Sequence, residues 1–436
     1  MNAVVVGGGL AGCEAAWALA ERGICVNLVE MRPDVSTAAH KTDRLAEIVC
    51  SNTFKSTEMA NAHGLLKAEL GLLGSLLMEV AQEVRVPGGT ALAVDRNRFS
   101  TMVTDRISRH PNIVVERREI TTLPSPAVVA TGPLTSDALA ESIRQRLGVE
   151  ALAFYDSIAP IVSGDSLEWE SLYRLSRYGK GGGTDYLNSP LDEDQYGAFI
   201  DELLEADQFV AHGFDEVPYF EGCLPIEEMA RRGRDTLRFG PLKPVGLPDP
   251  RTGREPFAVV QLRQEDLAGQ MWNLVGFQTR LRIPEQRRVF QMIPGLENAE
   301  YLRHGSIHRN TYLNSPAALT AHLSAVDDPR LLFAGQLVGV EGYTESLASG
   351  LLAGLNLARM LCDHDPVVPP RETMLGALVC YVHEADPRHF QPMNANFGLL
   401  PPLDKPIRNK RLKKTAMAER AIASMKEFVG EFYGAG

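Results

Sequence analysis

Three features of the 436-residue chain predict an α/β fold, in which a Rossmann-like nucleotide-binding domain is interrupted by an inserted α+β domain. A strand–glycine loop–helix–strand unit occupies the first thirty residues. A second glycine loop, Gly335–Gly342, opens a long helix. Between them the texture changes to many acids and aromatics around the glycine-rich run Gly179-Lys180-Gly181-Gly182-Gly183. The chain is too long for one ordinary core. The expected division is residues 1–150 with 295–436 as one discontinuous domain, and 151–294 as an inserted, substrate-facing domain.

The elements follow in order. Ala3–Val6 reads as a short buried strand, Gly7–Gly12 as a tight loop, and Cys13–Arg22 as a helix whose small residues Ala15, Ala16 and Ala18 suit close packing. Ile24–Glu30 reads as a second strand. Leu65–Val84 is leucine-rich and reads as helix. Val128–Gly132 is a short strand ending in Ala-Thr-Gly, Leu331–Ala334 is another strand, and Tyr343–Leu361 is a long helix. Beyond Lys405 the chain is basic and then amphipathic, with Met417, Ala421, Met425, Phe428 and Phe432 on one helical face.

Composition narrows the class. With 44% hydrophobic and 23% charged residues the chain is globular. No apolar run is long enough to span a bilayer, and the N-terminus lacks the marks of a signal peptide, so a cytoplasmic protein is expected and no membrane partner. Six cysteines without a C-x-x-C pair are neither a disulfide scaffold nor a disulfide reductase site. The net charge of −11 argues against a surface that coats nucleic acid throughout, yet leaves room for a local basic patch.

Gly7-Gly8-Gly9-Leu10-Ala11-Gly12 follows a strand and opens a helix. Its glycines permit the tight turn, the approach of backbone to a pyrophosphate, and close helix–strand packing. The helix N-terminus offers N–H groups and partial positive charge to phosphates. Glu30, at the end of the second strand, stands where an acid would accept ribose hydroxyls. A methyltransferase using S-adenosylmethionine shares a glycine loop of this kind. Two distant segments favour FAD instead. Thr131-Gly132 resembles the second short motif of two-dinucleotide flavoproteins, and Gly335-Gln336 with Gly342-Tyr343 resembles their C-terminal flavin motif, with Gln336 in place of the usual aspartate. The fold expected is therefore an FAD-binding domain of the glutathione-reductase type.

Cys50, in Arg44–Asn52, and Cys223, in Tyr219–Glu227, stand in unusual company, Cys223 just before an expected helix, where a thiolate would be stabilised. Arg44–Asn52 and Gly222–Glu228, together with Gly7–Glu30, Val259–Glu265, Gly276–Gln278, His308–Asn314, Gly339–Tyr343 and Asn394–Pro402, resemble the bacterial folate- and FAD-dependent tRNA (uracil-5-)-methyltransferase family, TrmFO, along essentially the whole chain. The longer MnmG flavoproteins share the architecture and add a C-terminal helical extension. The resemblance implies that methylenetetrahydrofolate supplies a carbon, reduced FAD takes it up and supplies reducing equivalents, NAD(P)H re-reduces the flavin, and the product is 5-methyluridine at conventional position 54 in the T-loop of tRNA. A thiolate adding to uracil C6 raises electron density at C5. We assign Cys223 as this nucleophile, and Cys50 as general acid/base or as a thiol beside the flavin. His212 is the best match for the histidine that stacks on the folate pterin. Arg280 and Arg282, with Arg287 and Arg288, are candidates to hold folate carboxylates or phosphates, and His308 and Arg309 to line the site. The basic tail, Lys405, Arg408, Lys410, Arg411, Lys413 and Lys414, is the best footprint for RNA, with Arg231-Arg232-Gly233-Arg234 a second.

Other motifs fail on context. Gly164-Asp165-Ser166-Leu167 lacks the strand that a hydrolase elbow needs, His383-Glu384 with His389 has the wrong spacing for zinc, and no Walker A loop exists. No metal site is expected. The alternative from another class is a flavin oxidoreductase or a redox-regulated binding protein without RNA chemistry.

Overall fold

The computed structural model describes residues 1–37, 39–149, 151–209 and 224–434. The strand Asn2–Val6 lies at the centre of a six-stranded sheet. Cys25–Glu30 and then Ile113–Arg117 flank it on one side, all parallel. Ala127–Val129 and then Asp328–Phe333 flank it on the other, also parallel, and the short antiparallel strand Ser324–Ala325 closes that edge. The registers Val5↔Leu28, Val5↔Val128 and Val128↔Leu332 stack fully buried valines and leucines across the sheet. Runs of apolar, β-branched residues suit strands covered on both faces.

This strand order has a consequence for binding. The chain leaves the first strand toward one edge and later returns to its other side, which makes a topological switch point. Ligands of open α/β sheets bind in the crevice outside the carboxyl ends of the strands at such a point. Gly7, Thr131 and Gly335 each lie at or just past the carboxyl end of one of three neighbouring strands, so residues more than a hundred positions apart become neighbours.

The helices Leu10–Ala20 and Tyr343–Leu361 cross in direct backbone contact. A Cβ on Gly350 would lie 2.2 Å from the Ala11 carbonyl oxygen, and one on Gly354 2.6 Å from that of Ala15. The small residues that made the first helix a close-packing element therefore meet glycines of Tyr343–Leu361.

The expected helix over Leu65–Val84 is two helices, Ala62–Leu72 and Leu76–Glu83. Gly74 turns the chain with φ +78°, and the Ser75 side chain caps the second helix at the Met78 N–H. The carboxylate of Glu14, buried in the first helix, also accepts the Leu77 N–H at 2.8 Å. Leucine content carried no information about this break; the turn chemistry of Gly-Ser did.

A second six-stranded sheet is wholly antiparallel, in the order Tyr173–Arg174, Tyr186–Leu191, Ala258–Gln264, Met271–Leu274, Ile161–Ser163, Tyr301–Arg303. With the helices Glu193–Glu205 and Ile283–Phe290 it encloses its own core around Trp272, Phe199, Phe277 and Phe290. A ribbon of Ala151–Ile158 paired with Ser306–Leu313 joins the two bodies. The terminal helix Lys410–Gly434 buries Met417, Ala421 and Met425 against the first core, and leaves the basic residues from Lys405 to Lys414 exposed. No helix among the described residues is long and apolar enough to cross a membrane.

Candidate functional site

The three glycine turns line one open cleft. Gly7 (φ +100°) packs so tightly on the second turn that a Cβ would lie 2.6 Å from the Ala130 carbonyl oxygen, and a Cβ on Gly12 would lie 1.8 Å from that of Gly7. Gly9 is different: nothing lies within 4 Å of its Cβ position, so its backbone is open to the cleft. Gly9 caps the first helix without a side-chain hydrogen bond, and Gly342 does the same for the Tyr343–Leu361 helix. Both helix starts therefore present N–H groups that lack intrahelical acceptors.

Glu30 lines the same cleft. Its carboxylate accepts the Gly8 N–H at 2.8 Å, and the Arg32 Nε and backbone N–H at 2.8 and 3.0 Å. Burial works against the charge, but Arg32 and these N–H groups hold the carboxyl below its ordinary range. Both Arg32 bonds fall on Oε1, so Oε2, which takes only the Gly8 N–H, keeps a further lone pair for a ribose hydroxyl. His40, across the cleft, is held down to about 4 by burial and by Arg32, and so is neutral near pH 7. Gly132 and Gly335 take φ of +69° and +77°. The side-chain nitrogen of Gln336 is bonded to Glu341, so its contact with a cofactor would run through its remaining atoms. An open glycine cradle, two uncapped helix starts and an acid at the strand end fit FAD.

Tyr343 connects this cleft to Cys50. It lines the cleft, and its hydroxyl accepts the Cys50 N–H at 2.7 Å. Burial, with the nearby Cys50, raises its pKa well above the usual phenol value, so it stays protonated. Its ring packs on Phe54, 5.7 Å between centroids. Cys50 itself is half-buried. Arg96 donates to the carbonyls of Ile48 and Cys50, the latter at 2.7 Å, and pairs with the fully buried Glu265 at 2.8 Å. Asn52 donates to Val94 and Gln264 carbonyls, and accepts from Arg263 at 2.9 Å. The segments Arg44–Asn52 and Val259–Glu265, far apart in sequence, thus meet in one clasp between the two bodies.

Cys223 and His212 lie outside the described residues. Close by in sequence, Glu227 is buried and accepts the Thr279 hydroxyl and the Arg280 N–H at 2.9 and 2.7 Å. The Arg280 guanidinium pairs with Glu228, and Arg288 with Glu285 and Glu202. Arg282 starts the Ile283–Phe290 helix, its N–H on the Asp207 carbonyl at 3.1 Å. In the run after Cys223, Arg231 pairs with Glu228 and Arg234 with Asp201. His308 and Arg309 stand on the joining ribbon, opposite Asp156 and Tyr155. Cys13 is fully buried with its thiol on the Gly8 carbonyl, and burial pushes its pKa far up, so it is inert. Cys25 and Cys362 are exposed, and Cys380 is half-buried. Among the described residues no group of three metal-ligating side chains occurs.

Sequence reasoning missed Arg32, Arg96 and Lys67. Arg32 had a signal, two positions past the strand-ending acid. Arg96 had none, because its partners come from two other segments. Lys67 sits beneath the site, its ammonium on the Phe54 carbonyl at 2.7 Å. Burial, with Lys55 adding and Glu345 opposing, lowers its pKa from 10.5 to about 7. Between those values the unfolded chain binds the extra proton, so this residue's contribution to stability improves as pH rises. Against Lys67→Met, the wild-type protein is expected to gain stability between pH 7 and pH 9. Urea midpoints of both proteins at the two pH values measure this, and a pH-independent difference would refute it.

A family model described as glucose inhibited division protein A matches residues 2–365. The methylenetetrahydrofolate–tRNA-(uracil-5-)-methyltransferase TrmFO of Geobacter sulfurreducens is 57% identical over 97% of this chain and 97% of its own length. That of Dictyoglomus turgidum is 52% identical over 98% of each. The solved structure of Aquifex aeolicus GidA, form II crystal, superposes with a TM-score of 0.72 at 16% identity, covering 99% of this chain and 73% of that one, a likeness of fold alone. Matched along nearly its whole length by relatives more than half identical to it, this chain belongs to the TrmFO family.

Proposed function

We propose that this protein methylates C5 of a uracil in tRNA, using methylenetetrahydrofolate as carbon source and FAD as cofactor. One juxtaposition carries the reading: Tyr343 lines the dinucleotide cleft and its hydroxyl accepts the Cys50 N–H, so the backbone of a cysteine is tied to a residue of the cleft wall. The names borne by relatives 52–57% identical support the same activity. At the finer level, the base is the T-loop uridine at conventional position 54, and NAD(P)H re-reduces the flavin. FAD, when bound, carries the one-carbon unit and supplies the reducing equivalents.

The chain's own residues do the rest. The Gly9–Gly12 backbone holds the pyrophosphate, Glu30 the ribose hydroxyls, and Thr131-Gly132 and Gly335-Gln336 the remainder of the cofactor. The Cys223 thiolate adds to uracil C6, and electron density moves to C5. Cys50 takes the C5 proton once the new carbon is bound, and re-forming the C5–C6 double bond expels Cys223. The body built on 151–294 faces the tRNA, and the exposed cations from Lys405 to Lys414 neutralise phosphates.

Purified protein incubated with unmodified tRNA, methylenetetrahydrofolate and NADPH is expected to produce 5-methyluridine. No product from protein whose flavin is reducible would overturn the assignment. Cys223→Ala is expected to abolish the covalent complex with 5-fluorouridine tRNA; a complex that persists moves the nucleophile to Cys50.

A further inference from the structure

The strap that leads to Cys50 is fastened to the cofactor cradle at two points. The first is Arg32. Its guanidinium is almost fully buried between two carboxylates, with Nε on Glu30 Oε1 at 2.8 Å and a terminal nitrogen on Glu47 Oε2 at 3.2 Å. The same nitrogen reaches the Thr42 carbonyl at 3.2 Å. Glu47 also accepts the Lys41 and Thr42 N–H groups at 2.8 and 3.0 Å and the Thr42 hydroxyl at 2.8 Å, so one carboxylate closes the turn from 41 to 47. The second point is Gly8. Its carbonyl accepts the Ala46 N–H at 2.8 Å, and the Leu45 side chain packs so closely that a Cβ on Gly8 would lie 2.5 Å from it. Ala46 is fully buried at φ +49°, a left-handed conformation that alanine keeps only where its surroundings impose it.

Both fastenings are groups that the cofactor uses. Glu30 Oε2 stays open to a ribose hydroxyl while Arg32 occupies Oε1. Gly8 belongs to the loop whose backbone faces the pyrophosphate, and Arg32 and Glu47 themselves line the cleft. From Glu47 the chain has only three residues in which to reach Cys50. At that end the Ile48 and Cys50 carbonyls are held by Arg96, and the Cys50 N–H by Tyr343. So short a span, pinned at both ends, passes on a shift at Glu47 rather than absorbing it. A buried guanidinium between two carboxylates is also an all-or-none link, because its loss leaves buried charge uncompensated. We infer that Arg32 is a positioning residue: through Glu47 it fixes Cys50 relative to the ribose site, so that FAD binding and the placement of Cys50 are coupled. Such coupling is reciprocal, so a strap set loose weakens FAD binding by the same factor by which FAD had ordered it. The inference requires FAD in the cleft and does not depend on the methylation reading.

The test uses the FAD-saturated protein with Arg32→Met, Arg32→Lys and Glu47→Gln, and iodoacetamide as thiol probe. Peptide mass spectrometry follows alkylation cysteine by cysteine, and flavin fluorescence gives the FAD Kd. In Arg32→Met, Cys50 is expected to react about 10-fold faster than in wild type and the FAD Kd to rise by a similar factor, within the usual range of coupling between sites. Glu47→Gln, which leaves Arg32 beside Glu30 but weakens its hold on the strap, is expected to shift both quantities the same way. Arg32→Lys, which keeps the charge, is expected to recover part of both. The exposed Cys25 and Cys362 are internal references, and the buried Cys13 reports general loosening. If Cys13 reacts in Arg32→Met, the fold itself has opened, and Arg32→Lys and Glu47→Gln decide the matter. A wild-type Cys50 rate beside weakened FAD binding would make Arg32 a cofactor contact alone and overturn the coupling. Faster alkylation of Cys50 with unchanged FAD affinity overturns it from the other side. Wild-type protein that binds FAD but makes no 5-methyluridine removes the methylation reading and leaves this result standing.

Discussion

Cys50→Ala is expected to lower 5-methyluridine formation by about 10²–10⁴-fold, the range that a positioned general acid–base contributes, while leaving flavin content unchanged. The two halves of this expectation have separate physical sources. Two hydrogen bonds tie the Cys50 backbone into the wall: its N–H donates to Tyr343, and its carbonyl accepts from Arg96. Alanine keeps both. The cleft, whose lining includes Tyr343 but not the Cys50 thiol, should therefore bind cofactor normally. What disappears is the only thiol among the described residues that stands at this corner. With the C5 proton unable to leave, a covalent complex with ordinary tRNA should accumulate through Cys223. Nucleoside analysis of the product, flavin absorbance and a gel-shifted tRNA complex report the three quantities. Methylation near the wild-type rate would exclude Cys50 from proton transfer.

Gly12→Ala is expected to yield protein without flavin and with a lowered Tm. The added methyl would sit 1.8 Å from the Gly7 carbonyl oxygen and 3.5 Å from a Val5 methyl. The first obstacle is backbone in the cofactor loop itself, so relief requires the helix to move off the sheet or the loop to open. Overpacking of this kind costs about 1–3 kcal/mol or more, and either movement spoils the cradle at Gly9. Gly350→Ala strikes the same helix from the opposite side, 2.2 Å from the Ala11 carbonyl oxygen, and should behave similarly. Gly23→Ala is the control. It places a methyl in open space at φ +75°, so strain lowers stability by about 1 kcal/mol without touching the cleft. Flavin-to-protein ratio and thermal melts distinguish the cases. Full flavin occupancy in Gly12→Ala would contradict the close-packing role given to that glycine.

Local patterns were enough for the elements that depend on neighbouring residues. The β–glycine loop–α–β unit, the Tyr343–Leu361 helix and the amphipathic terminal helix all stand where periodicity and glycines put them. The missed break at Gly74-Ser75 was also local, but leucine content obscured it. The charged clasp was not legible at all. Arg96 reads as an ordinary first residue of a helix. Its meaning depends on Glu265 and the Ile48 and Cys50 carbonyls, which the chain brings in from separate elements. The arginines that did stand out as a group, Arg280 and Arg288, have acids of their own body as partners. A cluster in sequence need not be a cluster of available charge.

The sequence by itself determined the nucleotide loop, because a turn, an uncapped helix start and a strand-ending acid are encoded within thirty residues. It also determined the family, since its cysteine segments are specific as written. Only the tertiary structure decided that Gly7, Thr131 and Gly335 serve one cleft, and that Cys50 shares a wall with Tyr343. The reason is the sheet order. Parallel strands joined by long crossovers align their carboxyl ends whatever the distance in sequence. Which charges cancel and which remain unpaired is settled only when those ends are side by side.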